Sequence, residues 1–207
     1  MLTVGLTGSS GSGKGYVCDI MKCVGIPCLD TDAVCRDVYM KGKDCYNDLV
    51  KFFGEGILRE DREIDRKALF NTAFPDKDKY EMLNSIAFHH IMVETRKWLA
   101  ERKAEGHIVA VIDAPMLYES GFDQLCDRVV CVTADMSTQV RRIMIRDGIT
   151  ADEARMRLGK QKPDIYYTSR ADYALNNSIS NENKIDSDTT KLVGVLRRLA
   201  RRDFSDK

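Results

Sequence analysis

The chain has 207 residues, 43% of them apolar, which suffices for one large domain or a domain with a small appendage. Lysine plus arginine equals aspartate plus glutamate at 32 each, so no global field draws the protein onto nucleic acid or a membrane surface. No stretch approaches transmembrane length and no basic segment leads into an apolar signal core, so a cytoplasmic protein without nucleic-acid or membrane partners is expected.

The first fifteen residues carry the strongest signal. An apolar run, Leu2 to Leu6, reads as a buried strand and tips into Gly8-Ser9-Ser10-Gly11-Ser12-Gly13-Lys14-Gly15. Gly8, Gly13 and Lys14 fit the pattern G-x-x-x-x-G-K-[ST], in which backbone N–H groups cradle phosphate and the lysine reaches the outer phosphates. The candidate nucleotide-binding residues are therefore Gly11, Ser12, Gly13, Lys14, Gly15 and Tyr16. The plain alternative is a flexible Gly/Ser turn. The strand before the loop argues against it, as do Val17, Ile20, Met21 and Val24 at helical spacing after it. The last position of the pattern fails: a hydroxyl there ligates Mg²⁺, and Gly15 has none.

Further along, Gly25 is placed as a helix stop and Ile26 to Leu29 as a short strand ending at Asp30-Thr31-Asp32. Strand, helix and strand of this length make a right-handed βαβ unit, which opens both strand ends onto one edge of a sheet. Residues 33–104 turn helical and charged, with helical spacing over 33–40, 46–53, 66–74 and 79–103, and read as an inserted helical subdomain. Ile108 to Asp113 and Val129 to Thr133 are continuous apolar runs of the buried parallel-strand type. Ser137 to Arg146 is a helix with Arg142 and Arg146 one turn apart. Thr150 and Glu153 have capping-box spacing and start another helix, which Pro163 limits. Residues 141–163 form a basic, lid-like region. Tyr173 to Asn177 is a last strand and turn, and Lys191 to Arg202 is an amphipathic closing helix. The class expected is α/β, a P-loop NTPase-type parallel sheet flanked by helices.

Phosphoryl transfer asks for a phosphate cradle, cations on the migrating group, a metal, and a group holding the attacking oxygen. Lys14 is the cradle cation. Asp32 is a candidate to orient or deprotonate an acceptor hydroxyl, or else the N-cap of the helix that begins at Ala33. Asp113 either holds Mg²⁺ through water or caps a turn. Arg142 and Arg146 either neutralise transferring phosphate or pair with carboxylates such as Asp147. The arginines of the closing helix read as a solvated face. Seven cysteines form no framework. Cys23/Cys28 and Cys126/Cys131 have spacings that suggest zinc, but buried thiols in a reducing compartment are the ordinary account.

Taken in order, these residues resemble the dephospho-coenzyme A kinase family. Gly5-Leu6-Thr7-Gly8 into Gly11-Ser12-Gly13-Lys14 is similar to that family's opening, and Leu29-Asp30-Thr31-Asp32 to its second-strand acid pair. Ile64-Asp65-Arg66, Leu83-Asn84, Ala114-Pro115-Met116-Leu117-Tyr118-Glu119 and Arg170-Ala171-Asp172 leading to Asn177 continue the likeness. The resemblance implies ATP and Mg²⁺ as cofactors, dephospho-CoA as the partner substrate, and a helical acceptor-binding insertion with a basic lid. It further implies that Asp32 faces the ribose 3′-hydroxyl, that Arg142 contacts phosphate, and that Asn177 lies near adenine. Where that family has Ser-Thr this chain has Gly15-Tyr16, from which weaker metal binding and slower turnover are expected.

Overall fold

The computed structural model describes residues 1–205, apart from the side chains of 181–183 and 203–205. The chain runs β1 (Leu2–Thr7), α1 (Lys14–Cys23), β2 (Cys28–Asp30), α2 (Thr31–Val38), α3 (Asp44–Phe53), α4 (Arg66–Ala73), α5 (Lys77–Ala104), β3 (Val109–Asp113), β4 (Arg128–Thr133), α6 (Met136–Asp147), α7 (Ala151–Gly159), α8 (Asp164–Thr168), β5 (Tyr173–Asn176) and α9 (Glu182–Ser205). It divides into two compact units, one of residues 1–29 and 102–207, the other of residues 30–101.

The first unit carries the sheet, in the order β2-β3-β1-β4-β5. β1 pairs in parallel with β3 on one side and β4 on the other, and β4 pairs in parallel with β5. Leu6 lies opposite Asp113, Thr7 opposite Cys131, and Thr133 opposite Asn176, so the ends of these four strands share one edge. Side chains alternate across the sheet. Leu2, Val4, Leu6, Val109, Val111, Val130, Val132 and Leu175 face one cluster with Val17, Cys18 and Met21 of α1 and Ile185, Leu192, Val193 and Leu196 of α9. The other face of β1 is so closely covered that a Cβ on Gly5 would sit 2.8 Å from Leu117 Cδ2 and 2.9 Å from Cys126 Sγ. Burial on both faces explains why these strands read as unbroken apolar runs.

Several boundaries differ from expectation for local reasons. α1 starts at Lys14 rather than at Tyr16, where the helical spacing places it, because Gly13 takes the left-handed conformation at its N-cap. Its buried face is Val17, Cys18 and Met21, whereas Val24 is the exposed C-cap. Gly25, at φ 80°, ends the helix. Cys23 is exposed, against the expectation of a buried thiol, because it lies on the face of α1 turned from the core. α9 begins at Glu182 rather than Lys191, its leading turns carrying few apolar residues to reveal them. α8, at five residues, is too short for periodicity to show.

The second unit is helical. Its buried residues include Leu49, Ile57, Ile64, Leu69, Leu83, Ala87 and Ile91, and an antiparallel bridge joins Leu58 to Ile64. Asp30 caps α2, its Oδ1 accepting from the N–H groups of Asp32 and Ala33 at 2.8 and 3.2 Å. The N-cap alternative for Asp32 is therefore overturned: the cap is Asp30, two residues earlier, since the helix opens at Thr31. Asp65 caps α4 in the same way. No described helix is long and apolar enough to cross a membrane.

Candidate nucleotide site

The loop between β1 and α1 turns on glycine. Gly8, Gly11 and Gly13 have φ of 141°, 77° and 89°, a region where a Cβ costs energy. Space forbids one as well. A Cβ on Gly8 would lie 2.1 Å from the Val132 carbonyl oxygen, and one on Gly13 would lie 2.1 Å from Asn177 Nδ2.

The loop's carbonyls are held. Lys14 Nζ donates to Gly8 O at 2.7 Å. Arg142 Nη1 donates to Gly11 O and Ser12 O at 3.3 and 3.2 Å, and Asn177 Nδ2 donates to Ser12 O at 2.9 Å. Arg142 Nη2 also donates to Asn177 Oδ1 at 3.3 Å. By contrast, among the described residues the amides of Gly11, Gly13 and Gly15 have no acceptor. Unpartnered N–H groups at a helix start carry partial positive charge and form an anion site. Their donor chemistry fits a phosphate chain.

Structure thus gathers Gly11, Ser12, Gly13, Lys14, Gly15, Arg142 and Asn177 at one edge of the sheet, with Asp113 at the end of the neighbouring strand β3, opposite Leu6. Arg142 does not pair with Asp147. That carboxylate instead takes Arg146 at 2.8 Å and Arg157 at 2.6 Å, and the Arg146 guanidinium beside it holds it below its ordinary value. Arg146 also donates to Ser10 Oγ at 3.3 Å. Tyr16 turns outward, its hydroxyl donating to Asp186 at 2.8 Å. Asn177 is buried behind the loop, its amide engaged with the Ser12 carbonyl and the Arg142 guanidinium. Asp113 Oδ2 accepts from Cys18 Sγ at 3.7 Å. The Cys28 thiol, burial and the Asp113 charge together push the Cys18 thiol far above its usual range, so it stays a neutral donor.

Asp32 belongs to the second unit, exposed on the first turn of α2, with the capping work done by Asp30. For the metal, the hydroxyl is missing at position 15, and a Cβ there would meet nothing within 4 Å. Among the described residues no three carboxylate, histidine or cysteine side chains cluster as metal ligands. One carboxylate, Asp113, with phosphate oxygens and waters, still suits the habits of Mg²⁺.

Sequence reasoning missed three contributors. Gln139 and Asp164 brace the loop from behind at Ser9, and Gln161 at Ser10, through hydrogen bonds of 2.8 to 2.9 Å. One signal was present: Gln139 lies three residues before Arg142 on the face that carries Arg146. Asp164 and Gln161 gave none, because only folding brings them to the loop.

A parallel α/β sheet whose first strand passes through a glycine loop into a helix headed by lysine defines a P-loop nucleotide-binding protein of the kinase type. The family model described as dephospho-CoA kinase matches residues 2–183, and the chain belongs to that family. It is 37% identical over 199 residues to the dephospho-CoA kinase of Corynebacterium efficiens, covering 96% of this chain and 100% of that one. To the enzyme of Geobacillus kaustophilus it is 40% identical over 184 residues, 87% of this chain and 90% of the relative. The solved dephospho-CoA kinase of Campylobacter jejuni shares the fold, with TM-score 0.69 at 20% identity over 97% of this chain and 98% of the other.

Proposed function

We propose that this chain transfers the terminal phosphoryl group of ATP to the ribose 3′-hydroxyl of dephospho-CoA, giving CoA and ADP, the last step of coenzyme A biosynthesis. The observation that carries the reading is the loop whose carbonyls are tied down while the Gly11, Gly13 and Gly15 amides find no acceptor among the described residues. Those amides and Lys14 bind the phosphates, and Arg142 adds charge to the migrating group. Arg146 and Asn177 support the nucleotide side. Asp32 orients the attacking hydroxyl, with residues 33–104 holding the acceptor and residues 141–163 acting as lid. Asp113 would hold Mg²⁺ through water, and the bound ion would supply charge neutralisation at the phosphate oxygens. Cytoplasmic location and the absence of nucleic-acid partners belong to the same proposal.

A coupled assay for ADP formation, with dephospho-CoA set against a nucleoside panel, tests the reading. Phosphorylation of nucleosides alone would replace it with another small-molecule kinase. Gly15 favours a second reading, a protein that binds nucleotide and turns over poorly. Because the space at position 15 is open, Gly15→Ser is expected to raise activity at limiting Mg²⁺ and to add about 0.5 kcal/mol through helix propensity. An unchanged Mg²⁺ dependence removes the metal account. Nucleotide binding without transfer in both forms supports the silent protein.

A further inference from the structure

We infer that Asp164, acting through the Ser9 hydroxyl, is a positioning residue of the phosphate loop, and that it makes the shape of the cradle depend on the docking of the segment 161–164. The inference rests on the reading of that loop as an ATP cradle. Four of the eight residues from Gly8 to Gly15 are glycines, so the free loop has unusual backbone entropy to lose. Something outside it must hold it.

Ser9 is buried between two groups of fixed polarity. Gln139 Nε2, itself buried, can only donate, and it gives to Ser9 Oγ at 2.8 Å. The Asp164 carboxylate can only accept, so the hydroxyl proton goes to its Oδ1, also at 2.8 Å. Both directions of the Ser9 hydroxyl are thereby fixed. The next residue is held from the same segment, with Ser10 N–H donating to Gln161 Oε1 at 2.9 Å and Arg146 reaching Ser10 Oγ. Gly11 rests on the backbone of Gln139, where a Cβ would come within 2.7 Å of its carbonyl oxygen. The segment follows α7 directly, so the root of the lid region and the back of the cradle are one hydrogen-bonded assembly. Asp164 and Lys14 also act on the Cys131 thiol, in opposite senses. The role of Asp164 is still to hold Ser9 rather than to touch phosphate, because a carboxylate facing the phosphates would repel them.

The test measures ATP affinity by calorimetry for the wild type, Ser9→Ala, Asp164→Ala, the double variant and Asp164→Asn. A hydrogen bond to a charged group is strong enough for its loss to weaken ATP about tenfold. Asp164→Ala and Ser9→Ala are expected to show that loss, and the double variant is expected to be no worse than either. Asp164→Asn retains an acceptor oxygen and is expected within about threefold of the wild type. KM for ATP should follow the affinities, while kcat and KM for the acceptor stay within about twofold. Wild-type affinity in Asp164→Ala, multiplying effects in the double variant, or failure of Asp164→Asn to rescue overturns the inference. If Asp164→Ala does not fold, Ser9→Ala and Asp164→Asn decide the matter alone. A wild type that binds no ATP overturns the cradle reading itself, an outcome distinct from these.

Discussion

Gly8 and Gly15 stand seven positions apart in one loop and meet opposite constraints. A side chain on Gly8 strikes the Val132 carbonyl and is strained by φ 141°, so Gly8→Ala is expected to lose about 3 kcal/mol or more in urea denaturation. Gly15→Ala, with open space around it, should gain up to about 1 kcal/mol in the same measurement. Cys131 gives a pH signature. Burial, with Asp164 adding and Lys14 opposing, pushes its thiol up to about 12, whereas an unfolded thiol ionises near about 8.5. Between those values the folded state keeps a proton that the unfolded state has lost. Its contribution to stability is therefore full below about pH 8.5 and falls as pH rises toward 12. Cys131→Ala should make the alkaline decline of stability shallower by about one proton, read from denaturation midpoints between pH 8 and 10, and an unchanged slope would count against this assignment.

At the scale of elements, caps and cross-braces set where chemistry can occur. The Thr150/Glu153 capping box was legible as a spacing and forms in full, with Thr150 Oγ1 accepting from the Glu153 N–H and the Glu153 carboxylate accepting from the Thr150 N–H. Thr150→Ala is expected to cost about 1 kcal/mol, measured by chemical denaturation. Asp30 was harder to read. Asp30 and Asp32 both suit a helix start, and only the observed opening of α2 at Thr31 assigns the cap to Asp30 and releases Asp32 from it. Arg142 shows the same limit in another form. Sequence neighbours suggested Asp147 as its partner, yet α6 aims Arg142 at the loop carbonyls and Asn177, while Asp147 is taken by Arg146 and Arg157.

For the whole molecule, ligand binding and folding are linked. If the cradle binds MgATP only in the folded state, ATP at a hundredfold excess over its Kd should raise stability by about 2.7 kcal/mol. A thermal shift series in ATP with Mg²⁺ reads this directly, and Gly8→Ala should abolish it. Local chemistry was determined by the sequence alone. The run into Gly8, Gly13 and Lys14 specifies strand, phosphate loop and helix because glycine geometry and hydrophobic period act between near neighbours. For the same reason the strand runs, the Gly25 stop and the Thr150 cap could be read residue by residue. Tertiary structure decided what depends on residues far apart in the chain: the strand order β2-β3-β1-β4-β5, the engagement of Arg142 and Asn177 with the loop, and the bracing of Ser9 by Gln139 and Asp164. Those contacts span 35 to 155 residues, and no local pattern pairs one partner with the other. Which buried donor meets which acceptor is settled only when the sheet and helices pack and every buried polar group must find a partner.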